Sequence, residues 1–234
     1  MAKDYSGTTV IIPTLNEARS IGKLIRLISN LYPGISVIVV DDGSSDGTVS
    51  IVSKIGRKKS RIRVIDRRKE KIHGLTASVI VGLEQTRAKY AVIMDGDLQH
   101  PPEKIRSIVA GLGEGNEIVV GVRVSVADNW PMHRRLMSVA ASGLGFMRLL
   151  PSGNMCNDIL SGFFGIRVDF AKKLIKKYRG RFSLEGYKAL FDFLKAAPAG
   201  ISIMEIPYSF GEREGGSSKI NLRHIAIYGK SLFK

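Results

Sequence analysis

Along the first half of the chain, short runs of β-branched residues alternate with longer segments whose apolar residues return every three or four positions. Few folds produce this alternation. Hairpins join strands through tight turns, whereas a long helical crossover between successive strands belongs to a parallel βαβ sheet. Strands are expected at Thr8–Ile12, Ser36–Val40, Arg61–Ile65, Tyr90–Met94 and Glu117–Val122. They are almost uninterrupted in apolar character, as strands covered on both faces must be. Helices are expected over Glu17–Leu31, Leu75–Gln85 and Glu103–Leu112, the first with Ile21, Leu24, Ile25, Leu27, Ile28 and Leu31 on one side. The fold class is α/β, an open doubly wound and mostly parallel sheet through about residue 122. From Val124 onward the pattern is less regular. It has an apolar helical stretch Leu136–Leu150, a turn-rich Pro151–Gly165, two more helices and a late strand Ile201–Ile206. This half reads as an elaboration of the same sheet, so residues 1–234 form one domain with halves of about 8–122 and 123–234.

Ligands of such sheets bind beyond the carboxyl ends of the strands, which directs attention to three loops. After the first strand comes Pro13-Thr14-Leu15-Asn16-Glu17, where Pro13 lacks a ladder donor and ends the strand. Thr14 and Glu17 have the spacing of a capping box; the alternative is that Glu17 and the adjoining backbone hold a polar ligand. After the second comes Asp41-Asp42-Gly43-Ser44-Ser45-Asp46-Gly47-Thr48. Asp46 suits a helix N-cap, whereas a carboxylate of Asp41 or Asp42 at the end of a buried strand can accept from a ribose or a base edge. After the fourth comes Asp95-Gly96-Asp97-Leu98-Gln99-His100-Pro101-Pro102. Two carboxylates at i and i+2, with the Gln99 oxygen at i+4, can meet one hard cation that substrate phosphates complete. The plainer reading is a strand-to-helix turn whose prolines open the next helix.

The 234 residues carry 36 Lys+Arg against 21 Asp+Glu, a net charge of +15, which calls for an anionic partner without choosing one. Nucleic acid is the rival class, but only 7% of residues are aromatic and no RNA-binding signature is present. Cys156 is the one cysteine, so no intrachain disulfide forms, and it reads as a small buried hydrophobe. Met1–Tyr5 does not resemble a signal peptide, which points to the cytoplasm. The longest uncharged run, Leu27–Val40, spans 14 residues, short of the roughly 20 a membrane helix requires. Gly111–Gly115 follows a helix and reads as a turn, and His73, His100, His133 and His224 lack metal-ligand spacing and read as surface or core residues.

Taken together, the three strand-end loops resemble those of inverting nucleotide-sugar glycosyltransferases with the GT-A fold. Two later segments, Asn157–Phe163 and Phe210–Lys219, resemble the polyprenyl-phosphate branch of that family, and the likeness spans about residues 8–222. It implies transfer of mannose from GDP-mannose to a polyprenyl (dolichyl) phosphate with inversion; relatives that use UDP-glucose share the same loops. It implies that Asp95, Asp97 and Gln99 bind Mg2+ or Mn2+, and that Pro13, Leu15, Glu17, Val40, Asp42 and Gly96 contact the donor. Asp97, Arg123 and Arg134 would serve the reaction, with Arg123, Arg134 and Ser138 on the acceptor phosphate and Arg213 and Lys219 over the diphosphate. Leu15 stands where a tyrosine is common, Phe164 where an arginine is usual and Val139 where another arginine is frequent. The implied location is the cytoplasmic face of an anionic membrane. Leu136–Leu150 and the basic C-terminal stretch would face the lipid, each surface Lys or Arg contributing about 1 kcal/mol.

Overall fold

Every residue of the central first strand is buried, and alternate residues of that strand and of its neighbour, the second, serve different cores. The computed structural model describes residues 4–125, 142–209, 211 and 222–233. Strand β1 (Thr8–Thr14) sends Val10 and Ile12 to one side and Ile11 to the other; β2 (Ser36–Asp41) divides Val37 and Val39 from Ile38 and Val40 in the same way. On the first side lie α1 (Ile21–Leu31), α2 (Thr48–Gly56) and α4 (Ile105–Gly113), which contribute Leu24, Ile25, Ile28, Val52, Ile108 and Leu112. On the second lie α3 (Leu75–Gln85), α6 (Val168–Tyr178) and α7 (Ala189–Ala196), with Val79, Leu83, Leu174, Phe191 and Phe193. Each such aliphatic side chain removed from water contributes about 1.5–3 kcal/mol, and two covered faces are why these strands carry no polar alternation.

The other strands are β3 (Ile62–Asp66), β4 (Tyr90–Ile93), β5 (Ile118–Ser125), β6 (Phe164–Arg167) and β7 (Ile203–Ser209). All seven form one sheet in the order β3-β2-β1-β4-β6-β5-β7. The first four are parallel; β6 runs antiparallel to both β4 and β5, and β7 is parallel to β5. The turn-rich stretch Pro151–Gly165 therefore leads into a strand that sequence pattern does not reveal. β6 has four residues, and one of them, Gly165, is required by close approach: a Cβ there would lie 2.3 Å from Ile108 on α4.

Two local expectations are corrected. Pro13 does not end β1; the strand continues to Thr14, with Pro13 paired to Val40. The β4 ladder stops at Ile11–Ile93, and Asp42 N–H donates to Thr14 O on the β2 side. Pro13 thus faces the β4 side, past the last ladder pair, where its missing N–H costs nothing. Nor is Thr14–Glu17 a capping box, because α1 starts at Ile21 after a turn in which Glu17 O accepts the N–H groups of Ser20 and Ile21. α3 has the expected limits, and β5 continues three residues beyond 122.

Of the Leu136–Leu150 segment, residues 142–149 form helix α5, and 136–141 lie outside the described residues. The last helix, α8 (Leu222–Ser231), is tied to α7 through Lys195. Its buried ammonium donates to Ser231 O at 2.7 Å and pairs with Asp192 at 2.9 Å. Among the described residues no helix is long and apolar enough to cross a membrane.

Candidate active site

The four parallel strands β3, β2, β1 and β4 end at one edge of the sheet, which brings their following loops together. Loops 14–20 and 41–48 are stapled by side chains accepting from backbone N–H groups: Asn16 N–H to Ser44 Oγ (2.7 Å), Glu17 N–H to Thr48 Oγ1 (2.9 Å) and Ala18 N–H to Asp46 Oδ2 (2.9 Å). These bonds hold the backbone at 16–18 away from the helix that Glu17 was expected to begin. Asp46 also accepts from Thr48 N–H at 3.0 Å, but it is not the N-cap expected of it: that position is Gly47, and no side chain caps α2.

Neighbouring Asp41 and Asp42 do different work. Asp41 is fully buried and ties its own turn, accepting from Ser44 N–H (2.8 Å), Ser44 Oγ (2.5 Å) and Gly43 N–H (3.1 Å). Asp42 faces the segment between β3 and α3, where it accepts from Arg67 Nη1 (2.5 Å) and Gly74 N–H (2.7 Å), with His73 Nδ1 3.2 Å away. Burial raises its carboxyl against the lowering effect of Arg67 and Gly74 N–H. Arg67 is itself buried and reaches Ser78 Oγ and Ile72 O as well. The sequence offered a signal for it, since Arg67 follows β3 at the same edge, but the loop after the third strand drew no reading.

At the end of β4, Asp95 is partly exposed while Asp97 is 2% exposed and accepts from Gln99 N–H at 3.1 Å. Gly96 packs against the first loop: a Cβ there would meet Thr14 at 3.1 Å and Glu17 at 3.4 Å. Gln99 Nε2 donates to Gly211 O (3.2 Å) and Gly211 N–H donates to Gln99 O (3.0 Å), which joins this loop to the chain that follows β7. His100 is not a surface residue. It is 2% exposed, stacked on Phe163, and accepts the Asp95 backbone N–H on Nδ1 at 3.0 Å. Burial lowers it to about 4, so the ring is neutral at pH 7 and the bond on Nδ1 places its proton on Nε2.

The second half supplies a cation to the same edge. Arg123, on β5, makes a forked pair with Asp158 (Nε–Oδ2 2.7 Å, Nη2–Oδ1 3.0 Å). Burial pulls Arg123 down, but Asp158 more than offsets it and the guanidinium ends above its ordinary value. Lys188 donates to Leu160 O at 3.0 Å, and burial followed by the Arg123 charge lowers it to about 8. Asp95, Arg123, Asp158 and Lys188 thus share one electrostatic environment. Asp158 belongs to a segment whose sequence stood out, yet no role followed from it; no motif or spacing singles out Lys188.

Pro13 and Val40 are buried, so their side chains are spent on the core, and Leu15 is exposed beside Asn16. Arg134, Ser138, Arg213 and Lys219 lie outside the described residues. No group of three or more His, Cys, Asp or Glu side chains that could hold a metal comes together among the described residues. Two carboxylates and an amide oxygen fit instead a hard cation of the Mg2+ or Mn2+ kind, which takes its remaining oxygens from substrate phosphate and water.

A mostly parallel seven-stranded sheet with two acids beyond β4 is the arrangement of a GT-A glycosyltransferase, and the chain belongs to glycosyl transferase family 2, whose model matches residues 9–175. It is a glycosyltransferase. Among its relatives is a dolichol-phosphate mannosyltransferase of Mycosarcoma maydis, 34% identical over 97% of this chain and 75% of that protein. Another of the same description, from Pyrococcus furiosus, is 32% identical over 97% of this chain, which spans 62% of that protein's length. Glucosyl-3-phosphoglycerate synthase from Mycobacterium tuberculosis, crystallised with Mn2+, UDP-glucose and phosphoglyceric acid, shares the fold with a TM-score of 0.62 at 19% identity, over 97% of this chain and 79% of that one.

Proposed function

We propose that the protein transfers mannose from GDP-mannose to a polyprenyl (dolichyl) phosphate, forming a lipid-linked sugar phosphate with inversion at the anomeric carbon. The observation that carries this reading is similarity to dolichol-phosphate mannosyltransferases over nearly the whole chain, with the strand-end acids in place. The chemistry asks little of a base. A phosphate monoester has its second pKa near about 6, so the attacking oxygen is already anionic at pH 7. That agrees with a buried, neutral His100 that is bonded to backbone.

The barrier lies in placing two anions together and releasing a third. Asp42, Glu17 and Gly96 line the donor side of the edge, with Pro13, Leu15 and Val40 offering main-chain atoms. Asp95, Asp97 and the Gln99 oxygen would hold Mg2+ or Mn2+, which when bound supplies positive charge to the departing diphosphate. Arg123, fixed in direction by Asp158, presents permanent positive charge where acceptor and donor phosphates meet. Arg134 and Ser138 are assigned to the acceptor phosphate, and Arg213 and Lys219 to the diphosphate. In this reading residues 1–234 are one glycosyltransferase domain, its donor half preceding its acceptor half.

The acceptor implies a membrane surface, and an apolar face supports that. Leu144 and Met147 on α5 and Leu150 just after it, three residues apart, are 48%, 60% and 61% exposed. Arg148 donates to Leu232 O, which brings Phe233, 93% exposed, to the same region. Among the described residues positive charge does not mark out one face. Exposed Arg57, Lys58 and Lys59 precede β3 at one edge of the sheet, and Arg68, Lys69 and Lys71 follow it at the other. The assignment to the cytoplasmic face of a membrane belongs to this proposal.

The test offers purified protein labelled GDP-mannose or UDP-glucose with a polyprenyl phosphate and Mg2+ or Mn2+. Mannose entering the lipid phase is the expected result. Glucose in its place would replace the donor, and no transfer together with steeply salt-dependent binding to arbitrary DNA would overturn the enzyme reading in favour of nucleic acid.

A further inference from the structure

His100 and Gly162 lie side by side against Asp95 and take part in none of the steps above. His100 reaches Asp95 twice. Its Nδ1 accepts the Asp95 backbone N–H at 3.0 Å, and its Nε2 lies 3.8 Å from Asp95 Oδ2. The ring has no freedom to move, since it stacks on fully buried Phe163 with centroids 5.1 Å apart and meets Tyr208 edge-on at 5.9 Å. Gly162 closes the arrangement from the other half of the chain. A Cβ at that position would stand 3.2 Å and 3.4 Å from the two Asp95 carboxylate oxygens and 3.3 Å from His100 Cε1. A side chain at residue 162 would therefore press on the Asp95 carboxylate and shift it by a few tenths of an ångström.

We propose that His100 and Gly162 are positioning residues for Asp95: the imidazole fixes its backbone, the bare glycine leaves room for its carboxylate, and together they set how Asp95 meets a divalent cation. The inference rests on the assignment of Asp95 and Asp97 as cation ligands. It accounts for two residues that touch no reacting atom, and it explains what the Asn157–Phe163 segment does for a loop far away in sequence. Groups that orient metal ligands typically change metal affinity 10–100-fold when removed.

The test is Mn2+ affinity in the presence of GDP, read from the free-ion electron paramagnetic resonance signal, with thermal denaturation in parallel. His100→Phe keeps the aromatic stack and loses both contacts with Asp95; it should bind Mn2+ 10–100-fold more weakly. His100→Asn restores an acceptor for the Asp95 N–H and should return to within about threefold of the parent, less than the smallest loss expected of an orienting group. Gly162→Ala adds one methyl group against the carboxylate and should weaken Mn2+ about tenfold without lowering the melting temperature appreciably. Parental affinity in folded His100→Phe or Gly162→Ala would overturn the proposal, as would His100→Asn no better than His100→Phe. Asp95→Asn separates the two levels. If it binds Mn2+ like the parent, the cation site itself is wrong; if it fails while His100→Phe and Gly162→Ala do not, only the positioning role is lost.

Discussion

Arg123→Met offers the sharpest test of how the loop carrying residues 157–163 is held against β5. The forked pair with Asp158 fastens the loop carrying residues 157–163 to β5, with the side chains 22% and 11% exposed. Removing one partner of a buried pair costs about 3–5 kcal/mol, chiefly because the other charge is left buried and alone. With this much exposure the lower end applies, about 3 kcal/mol. For a chain of this size a loss of 1 kcal/mol lowers Tm by about 2–4 °C, so Arg123→Met should melt about 6–12 °C below the parent. The informative variant is the double one. Arg123→Met with Asp158→Asn removes the orphaned charge, so the double variant should melt higher than Arg123→Met alone, with a coupling of at least about 1 kcal/mol. Arg123→Lys should fall between, because an ammonium cannot make the fork. Scanning calorimetry of the four proteins at pH 7.5 supplies the cycle. If the single losses simply add to within about 0.5 kcal/mol, the pair does not fasten the loop and packing alone holds it.

Asp97→Ala should reduce transfer by about a thousandfold or more, the scale of losing cation-assisted charge stabilisation, with the fold intact by circular dichroism; near-normal turnover would remove Asp97 from the cation site. Arg134→Ala should raise the apparent KM for lipid phosphate more than that for the sugar nucleotide, and equal effects would argue against an acceptor role. Because Lys188 is lowered to about 8 from 10.5, the unfolded chain binds that proton more tightly between these pH values. Lys188 therefore costs stability below pH 8, by up to about 3 kcal/mol, and the cost fades as pH rises. The Tm of Lys188→Met minus that of the parent should then shrink between pH 7.5 and 10, and a constant difference would refute the shift. Burial pushes the Cys156 thiol up to about 12, so it should resist a thiol reagent at pH 8 until denaturant is added.

The sequence by itself determined what depends on neighbours along the chain. Val10–Ile12, Val37–Val40 and Tyr90–Ile93 are apolar on both faces because helices cover both sides, so parallel strands, and with them the edge where ligands bind, could be read directly. The acids at that edge were equally legible, since Asp42, Asp95 and Asp97 follow strands within a few residues. What the sequence could not carry was the division of labour between Asp41 and Asp42. Hydrogen bonds set that division, and their partners come from the residues just beyond Asp41 in one case and from Arg67 and Gly74 in the other. Only the tertiary structure decided that β6 slips between β4 and β5 in the opposite direction. A four-residue strand containing a glycine has too little local preference, and its place is fixed by ladders on both sides and by α4 packed onto Gly165. That insertion carries the 157–163 loop to Asp95, sets Asp158 on Arg123 and lays Gly162 beside His100. Such contacts join residues distant in sequence, and no periodicity or spacing records them, because a side chain's partner is settled by the path of the whole chain.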